Sequence, residues 1–166
     1  MHEREIQLPR RAITGEEIRK IFNIDYKRLV ADTLSRVLLD SRALSFFASP
    51  KEHKGSQALY LAEEMVGEDM VFVSYLCPNG KTTIHKHQEP VMEKYFQLAG
   101  SSYLRLGSDL HELVVDSVLT VPSDVPHQLT TRDSPSLVLI VMENAISVPR
   151  DKLHVPIGPA QIPIFE

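Results

Sequence analysis

The stretch from Gly80 to Gly100 reads GKTTIHKHQEPVMEKYFQLAG. It sets His85 and His87 one residue apart, and Glu93 follows after a gap of five residues. Thr83–His87 has the composition of a short strand. In a strand, residues two apart project to one face, so the two imidazoles point together, with Thr83 beside them. Two imidazoles on one face are half of a metal site. Pro90 marks a turn, and Glu93 opens the next strand-like run. Paired back as a hairpin, that run brings Glu93 opposite the histidines and puts Glu93, Tyr95 and Gln97 on one face. Glu89 lies in the same hairpin and is a second candidate for the carboxylate.

A further ligand stands downstream. In VPSDVPHQL a strand ends at Val121, the chain turns through Pro122 to Pro126, and His127 begins the next strand. Two rigid prolines fix where that histidine emerges. Three imidazoles and one carboxylate suit a divalent first-row metal and leave coordination positions open. The surrounding sequence is a series of short runs rich in Val, Leu, Tyr and Thr. They include QALYLAEEM, DMVFVSYLC, SSYLRLG, ELVVD, SVLTVP, HQLTT and SLVLIVMEN. Turn signals separate them, at Gly67-Glu68-Asp69, Pro78-Asn79-Gly80, Gly107-Ser108-Asp109, Asp116-Ser117 and Asp133-Ser134-Pro135. Many short strands at regular spacing predict an antiparallel sandwich or barrel.

The two histidine segments together resemble the two motifs of the cupin superfamily. The first motif corresponds to Gly80, His85, His87, Glu93 and Gly100, and the spacing of Glu93 to Gly100 favours it over Glu89 as ligand. The second corresponds to Pro122, Asp124 and His127. Asp124 stands where the motif has glycine, which its tolerance of positive φ permits, and Thr131 stands at the usual asparagine. The likeness covers about residues 57–145. It implies a mostly β fold, a double-stranded β-helix (jelly-roll) barrel. It also implies a divalent transition metal (Fe, Mn, Ni or Zn) held at the barrel centre by His85, His87, Glu93 and His127. A homodimer is the further implication.

Outside the barrel, Thr14 and Glu17 have capping-box spacing before Ile18, Ile21 and Phe22. A second helix is expected from about Tyr26 to Ser41, with Leu29, Val30, Thr33, Leu34, Val37 and Leu38 as its apolar stripe. The pair also fits a helix-turn-helix, but the second helix offers little basic or amide-bearing surface for base edges. Packing on the main domain or on a partner subunit is the expectation. Ser49–Ser56 is a linker by composition. After Val148, four prolines forbid a helix or a central strand. The expected division is residues 1–54 as a helical extension, 55–148 as the barrel and 149–166 as an extended tail across the domain or a neighbouring subunit.

The bulk properties narrow the function. The 166 residues suffice for one domain with a hydrophobic core. The net charge is −4, split as +3 over residues 1–54 and −7 over 55–166. That balance argues against a general nucleic-acid binder. A single cysteine, Cys77, excludes an intrachain disulfide and reads as a buried small hydrophobe. With no apolar stretch of membrane-spanning length, a cytoplasmic location is expected. His2, His53, His111 and His154 read as ordinary surface or core residues, and Lys86 and Lys94 as solvated. The leading functional reading is a metal-dependent enzyme, of dioxygenase or isomerase type, acting on a small polar molecule with Tyr95 and Gln97 as substrate-binding candidates. Tyr75 and Tyr103 are weaker pocket candidates. The alternative reading is a non-catalytic small-molecule sensor, with the helices relaying occupancy. A DNA-binding regulator using residues 14–41 is the weakest.

Overall fold

A computed structural model describes residues 14–37, 44–52, 56–153 and 155–158. Two helices come first, α1 (Gly15–Phe22) and α2 (Tyr26–Val37). The strands follow: β1 (Lys51–Glu52), β2 (Ala58–Val66), β3 (Asp69–Leu76), β4 (Ile84–Lys86), β5 (Met92–Gly100), β6 (Ser102–Leu106), β7 (Asp109–Leu113), β8 (Val118–Val121), β9 (His127–Thr130), β10 (Ser136–Glu143) and β11 (Val155–Gly158). One antiparallel sheet has the order β1-β2-β3-β10-β5-β8 and the other β11-β4-β9-β6-β7. The predicted mostly β architecture with an N-terminal helical extension is present.

The strands β3 and β10 explain how the layers assemble. DMVFVSYL and SLVLIVME are nearly continuous apolar runs, as strands buried on both faces are. Met70, Phe72, Leu76, Val138, Ile140 and Met142 fill the core between the sheets, with Leu104 and Leu129 from the second sheet. The alternate residues Val71, Val73, Tyr75, Leu137, Leu139 and Val141 face the other way. They meet Ile18, Tyr26, Val30 and Leu34 from the helices, in a second core. Each such side chain contributes about 1.5–3 kcal/mol by leaving water. Helices this short are marginal in isolation, so α1 and α2 exist because this sheet has an apolar outer face to cover. The Thr14 hydroxyl accepts from the Glu17 backbone N–H at 3.1 Å, as the capping-box spacing predicts.

Several expectations need adjustment. The Glu93 strand is not a hairpin partner of the histidine strand. β4 lies in the second sheet and β5 in the first, so residues 87–91 cross between layers. The linker contains β1, which pairs with β2 at the sheet edge. ELVVD is strand only through Leu113, because Val114–Ser117 closes a turn in which Ser117 N–H donates to Val114 O at 2.9 Å. Helix α2 is assigned to Val37, and the expected continuation lies outside the described residues. The described part of the Pro-rich tail carries defined elements. Short 3₁₀ turns at Ala145–Ser147 and Arg150–Lys152 precede β11, and β11 is an edge strand, where proline is tolerated.

Two turns bear on the motif spacing. Asp124 takes φ 63°, the conformation expected of a residue standing for glycine. Gly100 takes φ 70°, and a Cβ there would fall 2.2 Å from the Pro135 carbonyl oxygen. Gly100→Ala therefore meets both backbone strain and a clash with main chain. It is expected to cost about 2 kcal/mol or more in chemical denaturation. A loss below about 0.5 kcal/mol would mean that this corner yields easily.

Candidate metal centre

The second sheet supplies three imidazoles. His85 sits on β4 directly opposite His127 on β9, and His87 follows one residue after β4 ends. From the first sheet, β5 points Glu93 across the barrel; Glu93 pairs in register with Val121 of β8. All four are nearly inaccessible, His85 being the most exposed at 6%. Their potential ligand atoms lie within 4.8 Å of one another. Glu93 Oε1 stands 2.9 Å from both His87 Nε2 and His127 Nε2.

The other ring nitrogens determine what these atoms are. His85 Nδ1 lies 3.0 Å from the Thr83 carbonyl oxygen, and His127 Nδ1 lies 2.9 Å from that of Val125. His87 Nδ1 contacts the carbonyl oxygen of Leu153. A carbonyl only accepts, so each Nδ1 carries a proton and donates it. Each Nε2 of a neutral ring then presents a lone pair toward the centre. Lone pairs aimed at a buried carboxylate repel unless a cation or a proton lies between them. That donor set, fixed from behind by backbone carbonyls, fits a divalent first-row metal.

A proton on His87 would compete with a cation for that place. Burial alone lowers the His87 imidazole, but the charge of Glu93, its hydrogen bond and the Leu153 carbonyl outweigh this and raise it above the ordinary value. Burial likewise raises Glu93, while His87 and His127 more than compensate and hold its carboxyl well below the usual range. The His87 proton must leave before a cation binds, so metal affinity rises with pH. Displacing one proton makes it about tenfold per pH unit, below the raised His87 value. Competition titrations at about pH 6 and about pH 8 measure this; equal affinities would mean that no proton is displaced.

The remaining candidates separate clearly. Tyr95 donates its hydroxyl to Glu93 Oε1 at 3.0 Å and is buried. Burial, the Glu93 charge and this bond push its phenol well above the usual range. Gln97 is equally buried but engaged elsewhere. Its amide donates to Ala99 O and Ser136 Oγ, both at 2.8 Å, and accepts from Ser102 Oγ at 2.7 Å. It ties the β5–β6 corner and does not line the cavity described below. Glu89 is exposed and outside the cluster, whereas Glu93 is in it. Tyr75 faces the helices and packs edge-on against Phe22 at 6.1 Å. Tyr103 lies under the Arg132 guanidinium at 4.2 Å. His111 is exposed, while His2, His53 and His154 lie outside the described residues. Cys77 is buried, and burial raises its thiol. Lys86 and Lys94 are half-buried and paired with Asp124 and Glu143, at 3.8 and 3.6 Å.

A small cavity of about 20 Å³ opens beside His85, Glu93 and Tyr95. It has room for about one water-sized occupant. Tyr60, Phe72, Ser74, Thr82 and Ile140 complete most of its wall. Sequence reading missed Tyr60, Phe72, Ser74 and Thr82. The available signal was strand parity, since Phe72 and Ser74 alternate with Tyr75. But both faces of β3 are apolar, so parity did not say which face was inside.

No protein-family profile matches the sequence, and no curated protein matches it. Solved structures match at the level of fold. A cupin-like protein from Thermotoga maritima gives a TM-score of 0.55 at 17% identity, covering 66% of this chain and 84% of that one. An oxalate decarboxylase from Bacillus subtilis gives 0.54 at 16% identity over 65% of this chain and 29% of its own. A DMSP lyase from Ruegeria pomeroyi gives 0.52 at 20% identity over 70% of this chain and 62% of its own. The match thus spans under a third of the decarboxylase chain and less than two thirds of the lyase chain. This chain has the cupin fold. Among the described residues, no helix is long and apolar enough to cross a membrane.

Proposed function

We propose that this chain is a metal-dependent enzyme acting on a small polar molecule, with His85, His87, Glu93 and His127 as the ligands. The observation that carries the reading is the convergence of these buried donors, with the three rings oriented by backbone carbonyls. A bound divalent metal supplies Lewis acidity or, if iron, dioxygen chemistry. Three neutral imidazoles and one carboxylate leave such an ion one net positive charge. No Lys or Arg lines the cavity among the described residues. An oxygen-rich or anionic substrate group therefore finds its positive partner in the ion rather than in a side chain. Tyr95 holds Glu93 in place and keeps its own proton at neutral pH, so it orients and donates. Phe72, Leu129 and Ile140 form an apolar part of the wall, and a cavity of about 20 Å³ admits only a very small group. Oxidative and isomerase-type chemistry both fit this arrangement; iron would favour the former and manganese, nickel or zinc the latter. A homodimer is part of the proposal.

The test is elemental analysis of protein purified without an affinity tag or chelator, followed by turnover assays chosen by the metal found. About one equivalent of metal per chain is expected, with activity that disappears on its removal. Absence of metal, even after reconstitution, would reject the reading.

One observation favours a second reading, a ligand-binding sensor. Strand β5 carries Glu93 and Tyr95 on its inner face, while Phe96 and Leu98 pack in the helix-side core. A change at the centre thus has a direct mechanical route to α1 and α2. Ligand-dependent thermal stabilisation without turnover would select this alternative.

A further inference from the structure

Two of the three imidazoles are oriented locally and one is not. His85 and His127 each use the carbonyl two residues earlier on their own chain segment, Thr83 and Val125. His87 instead uses Leu153, 66 residues away, beyond the last strand of the first sheet. The segment bearing Leu153 is attached at several points. Asn144 N–H donates to Asp69 Oδ1 at 2.9 Å, and Ile146 N–H donates to Glu68 O at 3.1 Å. Arg150 pairs with Glu63. Val148 and the Leu153 side chain sit in the core between the sheets. Immediately beyond, β11 pairs with β4, setting Pro156 opposite His85 and Val155 opposite Lys86.

We propose that residues 145–153, together with β11 (Val155–Gly158), form a latch for the metal centre, with Leu153 as a positioning residue that fixes the His87 ring through its backbone carbonyl. This rests on the metal reading above. Docked, the segment holds His87 with Nδ1 protonated and Nε2 turned to the centre, and β11 braces the strand that carries His85. Released, it leaves His87 without that acceptor, and the ring loses both its tautomer preference and its aim. Metal binding and docking of the segment are therefore thermodynamically linked, each strengthening the other by the same factor.

The test uses the full chain and Co²⁺ alone, whose visible spectrum reports coordination. Leu153→Glu places a charge at a buried anchor and dislodges the segment. Co²⁺ affinity is expected to fall about 10–100-fold, the effect typical of losing a ligand's outer partner, with an altered spectrum. Leu153→Met should restore both, and Lys152→Glu, at an exposed neighbour, should change neither. In the unsubstituted chain, Co²⁺ should slow hydrogen exchange across 150–158 by a comparable factor. That measurement decides the matter even if Leu153→Glu fails to fold. Exchange unaffected by Co²⁺, or unaltered affinity and spectrum in a folded Leu153→Glu chain, overturns the latch alone. An unsubstituted chain that binds no Co²⁺ overturns the metal reading and the latch with it.

Discussion

His127→Ala is expected to abolish stoichiometric metal retention. The substitution deletes one of four buried donors and also a hydrogen-bond partner of Glu93, 2.9 Å away. Replacing a ligand's outer partner costs about 10–100-fold in affinity, so deleting the ligand itself should exceed about 100-fold. The carboxylate that remains cannot turn to water, because Glu93 is only 2% exposed. It keeps His87 and the Tyr95 hydroxyl as partners, so the barrel should still fold. Elemental analysis and chelator competition on the same preparation measure the effect. Gln97→Ala is the informative contrast. Its amide serves Ser102, Ser136 and Ala99, and metal content should be unchanged. Full retention of metal by the His127→Ala chain would show that these residues are not the ligands.

Stripping the metal with a chelator is expected to lower the unfolding midpoint by about 8–16 °C. A ligand at about a thousand times its Kd stabilises the native state by about 4 kcal/mol. For a chain of this size each kcal/mol moves the midpoint by about 2–4 °C. The metal-free protein should remain folded, because the depressed carboxyl of Glu93 and the raised imidazole of His87 already form a compensated pair. A proton substitutes for the cation, at lower stabilisation. Differential scanning calorimetry before and after dialysis against chelator, then after metal return, measures this. A midpoint that moves by less than about 2 °C in both directions would mean that the centre binds no metal with useful affinity.

The residues of the centre were legible because their chemistry is local. Alternation in a strand puts His85 and His87 on one face whatever the strand pairs with. The prolines at Pro122 and Pro126 set off His127 in the same way. The lining of the cavity was not legible, and β3 supplies the reason. Tyr75 and Ser74 are neighbours in sequence on opposite faces, and the run DMVFVSYL is apolar on both. The helices cover one face and the second sheet covers the other, so hydrophobicity does not distinguish outside from inside. Tyr75 packs under Phe22, and Ser74 faces the cavity. Gln97 is a related case. Its parity matches Glu93 and Tyr95, but it lies at the far end of β5, where the turn through Gly100 supplies Ser102 as a partner.

The sequence by itself determined most of the strand runs, the turns between them and the four candidate donors, since residue type, alternation and turn chemistry are read within a few positions. Strand alternation, helix capping at Thr14 and the tolerance of Asp124 for positive φ are all of this kind. Tertiary structure decided three other things. It placed Glu93 on the opposite sheet from the histidines, so that the donors face one another across the barrel rather than along a hairpin. It gave the outer face of the first sheet to α1 and α2. It also brought the Leu153 carbonyl to His87. Each of these pairs residues far apart in the chain, and local propensity carries no information about such pairs because only burial in the completed fold brings them together.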